Sequence, residues 1–289
     1  MLAHRFTAAR GVGSAEPCRE ARVQINGRGP PPFGLEGDRI RLTGLQFFFV
    51  LFSIFTPKTT MSRFPAAYFL FFTLCLLAFC LLSFTHMPKP SRIVFFGDSI
   101  TEAGVNPGGY IAQMRDSLAA RNQASDYELL GAGISGNKVY DLYLRLESDV
   151  LEKRPDQVFV WVGVNDVWHK KTHGTGTDAD KFERFYTALI KKMQAQGIRL
   201  VLCTPACVGE KTDCTNTLDG DLNQYSGIIR RLAKTYNCGL CDFREAFLNY
   251  NLKNNSQNAE KGILTTDGVH LNEKGNALVA GMMLGMIGH

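Results

Sequence analysis

Ile93-Val94-Phe95-Phe96-Gly97-Asp98-Ser99-Ile100-Thr101 is the stretch whose reading decides the fold. Four apolar residues rich in β-formers run straight into Gly97-Asp98-Ser99, the pattern of a buried strand that ends in a tight turn and lifts one hydroxyl to the rim of a sheet. In an open α/β sheet, ligands bind outside the carboxyl ends of the strands, and Gly97 lets the chain turn where a Cβ would obstruct it. Ser99 is therefore a candidate nucleophile. A strand followed by Gly-Asp-Ser is also an ordinary turn, so the assignment depends on what other loops bring to the same edge.

Downstream, apolar strand-like runs alternate with amphipathic stretches of helical period. The strand candidates are Ile93 to Phe96, Glu128 to Leu130, Gln157 to Val162, Arg199 to Cys203 and Gly239 to Asp242. Helical periodicity appears in Tyr110 to Arg121, Asp141 to Leu151, Asp178 to Gln196, Leu222 to Tyr236 and Glu273 to Met286. Such alternation implies right-handed βαβ units. The expected fold class is α/β: a three-layer α/β/α sandwich around a mostly parallel five-stranded sheet, occupying residues 88–289.

Upstream the text differs. Residues 1–60 are rich in Gly, Pro and Arg and show no sustained period, so they are read as a disordered or mis-assigned extension. At Met61-Ser62-Arg63 the chain restarts with a positive charge, then an uncharged apolar run from Phe64 to Phe84, then Thr85-His86-Met87-Pro88. That is the layout of a secretory signal peptide beginning at Met61. An uncleaved membrane anchor through residues 64–84 is the alternative, since the run is long enough to span. Leu77-Ala78-Phe79-Cys80 also resembles a lipobox, with Phe79 where a small residue is wanted. In each case the domain is expected to be exported.

The formal net charge of +5 belongs to this leader. Residues 1–63 carry nine Lys and Arg against four acids, and the remainder is balanced at 23 of each. No basic surface is left to argue for a nucleic-acid partner.

Partners for Ser99 lie far along the chain. In Thr265-Thr266-Asp267-Gly268-Val269-His270, the carboxylate and imidazole stand three residues apart on a loop. Asp267 is then close enough to accept the Nδ1 proton of His270 and leave Nε2 free as a base. Capping of the following helix, or metal binding, are the other uses of such a pair. His169 and His173 make no ligand-spaced cluster with it and read as loop residues, and no metal site is expected. Asp98 adjoins the nucleophile but leaves the strand on a different face, so it is read as bracing the turn. The strand ending in Gly163-Val164-Asn165-Asp166 offers Asn165 as an amide donor at the same edge, and Gly131-Ala132-Gly133-Ile134-Ser135-Gly136 offers a backbone N–H. Read alone, these are also a helix cap and a strand-to-helix turn.

Gly97-Asp98-Ser99-Ile100, the glycine segment ending at Gly136, Gly163-x-Asn165-Asp166 and Asp267-x-x-His270, in that order, resemble the four blocks of the SGNH/GDSL hydrolase family. The resemblance runs from Arg92 to about Met286, and four ordered blocks are far more specific than any one. It implies a flavodoxin-like fold, a serine esterase, Ser99 as nucleophile, His270 as base and Asp267 orienting it. It also implies an oxyanion hole from the Ser99 N–H, the Gly136 N–H and the Asn165 side chain, with no cofactor. Ile100 replaces the family's Leu. Gly131 stands where many members have Asn, which leaves Gly136 and Gly133 as competing donors. The nucleophile elbow Gly-x-Ser-x-Gly is absent, because Ser99 is followed by Ile100-Thr101.

Among the domain's cysteines, Cys207 and Cys214 close a short polar loop and are the expected disulfide. Cys203 reads as a small buried hydrophobe, and Cys238 with Cys241 as structural. Two loops remain to choose the substrate, Val167 to Thr177 and Cys207 to Gly220. Neither is long enough for a lid domain, which favours short acyl groups such as acetyl, with Trp168 walling the pocket. The expected partner is a small-molecule, carbohydrate or lipid ester. Lysophospholipase or lipase action, acyl transfer to an alcohol, and a non-catalytic carbohydrate-binding or scaffold role on the same fold are the alternatives.

Overall fold

Strand β1 (Ser91–Gly97) lies inside a five-stranded, wholly parallel sheet with β2 (Tyr127–Gly133), β3 (Gln157–Trp161), β4 (Arg199–Cys203) and β5 (Gly239–Cys241), in the order β2-β1-β3-β4-β5. The structure is a computed structural model that describes residues 70–77 and 89–287. Contacts divide the chain into two compact units, Met1–Met87 and Pro88–His289. In the first unit, residues 70–77 are helical and Leu70, Phe71, Phe72, Leu74, Leu76 and Leu77 are exposed. The remainder of the expected signal segment and all of residues 1–60 lie outside the described residues. No helix among the described residues is long and apolar enough to cross a membrane.

The strands are apolar on both faces because helices cover both. Side chains alternate across a strand, so Val94, Phe96, Val158, Val160, Leu200 and Leu202 face one core while Ile93, Phe95, Phe159, Trp161, Val201 and Cys203 face the other. The first core is closed by α3 (Val139–Asp149), α5 (Ala179–Gln194) and α6 (Asp219–Thr235). Their stripes include Leu142 and Leu146, Phe182 to Met193, and Leu222 to Leu232. The second is closed by α2 (Tyr110–Ala120), α7 (Phe243–Asn254) and α8 (Glu273–Leu284), through Ile111, Met114, Phe243, Phe247, Val279 and Met283. Each such side chain contributes about 1.5–3 kcal/mol when fully buried.

Two further helices start at strand ends: α1 (Ser99–Gly104) after β1, and α4 (Val164–Thr172) after β3. The chain leaves β1 toward β2 on one side and returns past it to β3 on the other. The strand order reverses there, at the carboxyl ends of β1 and β3, the position at which open α/β sheets bind ligands.

Two expectations fail in this region. His169 is not a loop residue: it lies on α4, which takes up Val167 to Thr172 of the expected loop, whereas His173 follows the helix end and sits in the turn beyond it. Cys207 and Cys214 are not bridged. Cys207 is a buried thiol whose Sγ lies 3.6 Å from the Gly268 carbonyl oxygen, whereas Cys214 is exposed at a left-handed turn.

Candidate active site

Ser99 opens α1, one residue after the buried Asp98. Asp98 is the N-cap of that helix: its Oδ1 accepts the Ile100 N–H at 3.0 Å, and its carbonyl accepts the Glu102 N–H at 2.9 Å. The turn is thus pinned from beneath, with the serine side chain facing outward. Burial pushes the Asp98 carboxyl up to about 7, against the opposing pull of the Ile100 N–H and of His270.

Ser99 Oγ stands 3.0 Å from His270 Nε2, and His270 Nδ1 stands 2.7 Å from Asp267 Oδ2. The second carboxylate oxygen, Oδ1, accepts the backbone N–H groups of Val269 at 2.9 Å and His270 at 2.8 Å. Partial burial raises the Asp267 carboxyl, but these hydrogen bonds and the imidazole outweigh it, and its pKa lies below the ordinary carboxylate range. The three residues come from the start of α1 and from one loop, with Ser99 and His270 separated by 171 positions in sequence. The loop bearing Asp267 and His270 is closed by the Thr266 N–H on the His270 carbonyl, by the Gly268 N–H on Thr265 Oγ1 and by the Thr265–Leu271 bridge.

The glycine segment separates into two roles. Gly133, the last residue of β2, pairs with Gly97 and lies under α1; a Cβ there would sit 2.0 Å from the Glu102 nitrogen. Gly136 lies in the left-handed region with φ +75°, and its N–H meets no protein acceptor among the described residues. The same holds for the Ser99 N–H, as expected of a first helical residue. Asn165, 2% exposed on the first turn of α4, donates one amide proton to the Asn137 carbonyl at 3.1 Å and keeps the other uncommitted. Gly133 therefore allows close packing, while Gly136, Ser99 and Asn165 present donors near one edge.

Arg145 and Lys138, which the sequence did not single out, hold this frame together with Asp166 and His169. Arg145 on α3 reaches the carbonyls of Gly97 and Ala132 and the side chain of Asn137. Lys138, 6% exposed, donates from Nζ to the Gly136 carbonyl at 3.2 Å. Asp166 is fully buried and accepts the Val139 N–H; burial pushes its carboxyl up to about 7. His169 borders Gly136, and burial, with Lys138 and His173 nearby, holds its imidazole below the usual value.

Trp168 is half-buried, packs against both cores and lines a cavity of about 450 Å³ with Lys171, Lys211, Asn216, Glu260 and Asp267. Among the described residues, no group of three or more His, Cys, Asp or Glu is arranged to hold a metal ion. A hydroxyl, an imidazole and a carboxylate in series, with N–H donors at the same edge, can generate an alkoxide-like nucleophile and bind a developing oxyanion.

Residues 95–278 match the model of the GDSL-like Lipase/Acylhydrolase family. An acetylxylan esterase of Geobacillus stearothermophilus is 30% identical over 217 residues, which is 68% of this chain and 94% of that protein. The crystal structure of an acetyl xylan esterase, AlAXEase, is 60% identical and superposes with a TM-score of 0.67, covering 68% of this chain and 99% of that one. An uncharacterised lipoprotein of Bacillus subtilis, YqeF, is 24% identical over 65% of this chain and 85% of its own length. The chain belongs to the GDSL-like Lipase/Acylhydrolase family and is a hydrolase of ester bonds.

Proposed function

We propose that this protein is an exported serine esterase that removes acetyl groups from acetylated xylan or its oligosaccharides, with Ser99 as nucleophile, His270 as general base and Asp267 as the group that orients it. The observation that carries the reading is the chain of contacts from Ser99 Oγ through His270 to Asp267, 3.0 and 2.7 Å long, at the sheet's switch point. His270 Nε2 takes the serine proton as Oγ attacks the ester carbonyl. The oxyanion accepts from the N–H groups of Ser99 and Gly136 and from the Asn165 amide, each donor worth about 3–4 kcal/mol of barrier. Collapse of that intermediate expels the sugar alcohol, which takes the proton from His270. Water, deprotonated by the same ring, then attacks the acyl-enzyme, and acetate leaves as the proton returns to Ser99.

Acetyl as the acyl group is supported by the two acetylxylan esterases similar to this chain. A sugar as the alcohol is supported by the same relatives and by the cavity beside Asp267, where one indole stands among polar groups. Such a lining suits a pyranose ring better than a lipid tail. Export is supported by the signal-like run after Met61 and by the similarity to a lipoprotein.

A p-nitrophenyl ester series tests the reading. Acetate is expected to be cleaved faster than octanoate, acetylated xylo-oligosaccharide is expected to release acetate, and Ser99→Ala is expected to abolish both hydrolysis and fluorophosphonate labelling. Faster cleavage of octanoate would remove the acetyl assignment, and an active Ser99→Ala would remove the nucleophile.

A further inference from the structure

The loop after β4 carries a carboxylate that the reaction above does not use. Glu210 is 1% exposed, and it meets three consecutive backbone donors. Its Oε2 accepts the Ile263 N–H at 2.8 Å, and its Oε1 accepts the Leu264 and Thr265 N–H groups at 2.6 and 2.9 Å. A carboxylate is acceptor-only and has room for such a set, whereas no neutral side chain of that length offers three acceptor directions. These donors end two residues before Asp267.

The rest of the strap grips the same loop. The Glu210 N–H donates to the Glu260 carbonyl at 2.9 Å and the Gly209 N–H to the Gly268 carbonyl at 2.9 Å. Asn255 Nδ2 holds the Glu210 carbonyl at 2.8 Å from the other side. The turn from Thr265 to Leu271 is closed on itself by the Thr265–Leu271 bridge and by the Thr266 N–H on the His270 carbonyl, and Glu210 takes up the three consecutive backbone N–H groups that lead into it. Ser99 belongs to a different element, the start of α1. The distance between the imidazole and the hydroxyl therefore depends on how the loop is held relative to the sheet.

We propose that Glu210 is a positioning residue for ester hydrolysis: by gathering the N–H groups of residues 263–265 it sets where Asp267 and His270 stand against Ser99. The proposal rests on the roles assigned above to those three residues. A misplacement of about 1 Å at such a contact costs on the order of a hundredfold in rate.

Glu210→Gln keeps the shape and turns an amide group toward one of the three backbone donors. With p-nitrophenyl acetate, kcat is expected to fall about ten- to a hundredfold while KM stays within about threefold, since only a transition-state interaction is lost. Fluorophosphonate labelling is expected to slow in step. Leu189→Ala, a cavity in the core on the opposite face of the sheet from α2, serves as the stability control: its thermal midpoint falls while kcat and labelling stay near wild type. A folded Glu210→Gln protein that loses stability like the control and keeps wild-type kcat overturns the proposal. Should Glu210→Gln fail to fold, Glu210→Asp is expected to show the same split, because it retains the charge but withdraws it by one methylene; an unchanged kcat overturns the proposal. Amide exchange on the wild type needs no substitution: residues 263–265 are expected to exchange as slowly as the central strands, and exchange at the rate of exposed loops overturns it. Ser99→Ala separates the two levels. If it stays active, the assigned roles fail; if it is inactive while Glu210→Gln behaves as wild type, only the positioning role fails.

Discussion

Arg145 Nη2 donates to the Gly97 carbonyl oxygen at 2.7 Å, so a guanidinium from α3 grips the end of β1 two positions before Ser99. The same side chain gives Nη1 to the Ala132 carbonyl at 3.0 Å and Nε to Asn137 Oδ1 at 2.7 Å, and it lies over the Phe96 ring. Asn137 in turn offers its carbonyl to the Asn165 amide. One planar fork thereby ties the serine turn to the loop that carries Gly136. Lysine has the charge but not the fork. Arg145→Lys is expected to lower the unfolding free energy by about 2 kcal/mol, as strand-end carbonyls lose their donor, and to reduce kcat by about tenfold. Urea denaturation and steady-state kinetics read both, and an unchanged midpoint would contradict the first.

The two glycines of the second block should respond differently to alanine. At Gly133 the new methyl meets backbone on three sides, at 2.0 Å from the Glu102 nitrogen, 2.5 Å from the Thr101 carbonyl carbon and 2.7 Å from the Asp98 oxygen. Backbone cannot rotate away, so α1 must shift from β2, and a loss of about 3 kcal/mol with impaired activity is expected. At Gly136 the nearest atom is His169 Cε1 at 3.9 Å, and the cost is the left-handed φ of +75°. About 1–2 kcal/mol is expected there. Equal midpoints for Gly133→Ala and Gly136→Ala would refute the distinction.

The sheet was legible because its strands are short apolar runs set between turn residues, and β4 matches the sequence reading at both ends. The three helices not expected share a physical reason: their buried face is too short or too polar to show a period. Helix α1 is six residues long. Helix α4 buries only its first turn, Val164 to Val167, before His169, Lys170 and Lys171. Helix α7 buries Arg244 and Asn251 beside Phe243 and Phe247, so polar letters interrupt its stripe. At the site, Asp267 and His270 were readable because three residues of spacing suffice. Glu210 was not, because its carboxylate partners are backbone groups 53 to 55 residues away that every residue type carries, and the link from Arg145 to the serine turn was not, because it runs to a backbone carbonyl 48 residues away.

Buried carboxyls are expected to give the domain an inverted response to mild acid. Burial pushes the Asp98 and Asp166 carboxyls each up to about 7, well above the ordinary carboxylate range. Between about pH 4 and pH 7 the folded protein keeps protons that the unfolded chain has released, so stability falls as pH rises through that window and levels off above it. Asp267 has the opposite sign, since its stabilising effect is lost as pH falls through its depressed pKa, below the same window. Asp166→Asn keeps an acceptor for the Val139 N–H and removes one of the two titrating groups. Urea midpoints measured across the window should therefore decline less steeply in Asp166→Asn than in the wild type. Parallel declines would mean that Asp166 does not titrate there.

Trp168 offers the sharpest test of the sugar assignment, because it lines the cavity beside Asp267 and makes no hydrogen bond to Ser99, His270 or Asp267. An acetyl group attached to p-nitrophenol needs no sugar pocket, whereas an acetylated xylo-oligosaccharide would lay a ring against the indole. Losing one good pocket contact alters discrimination by about 1–3 kcal/mol, or roughly ten- to two-hundredfold. Trp168→Ala is thus expected to cut kcat/KM for the oligosaccharide by at least about tenfold while leaving p-nitrophenyl acetate within about threefold. Trp168 also packs against both cores, so its truncation costs stability as well, on the order of 3 kcal/mol. Trp168→Phe restores most of that packing and a flat face for the ring, and should recover the oligosaccharide rate. If both substrates decline together in Trp168→Ala, the indole supports α4 and Asn165 rather than a sugar, and the alcohol half of the ester must be bound elsewhere.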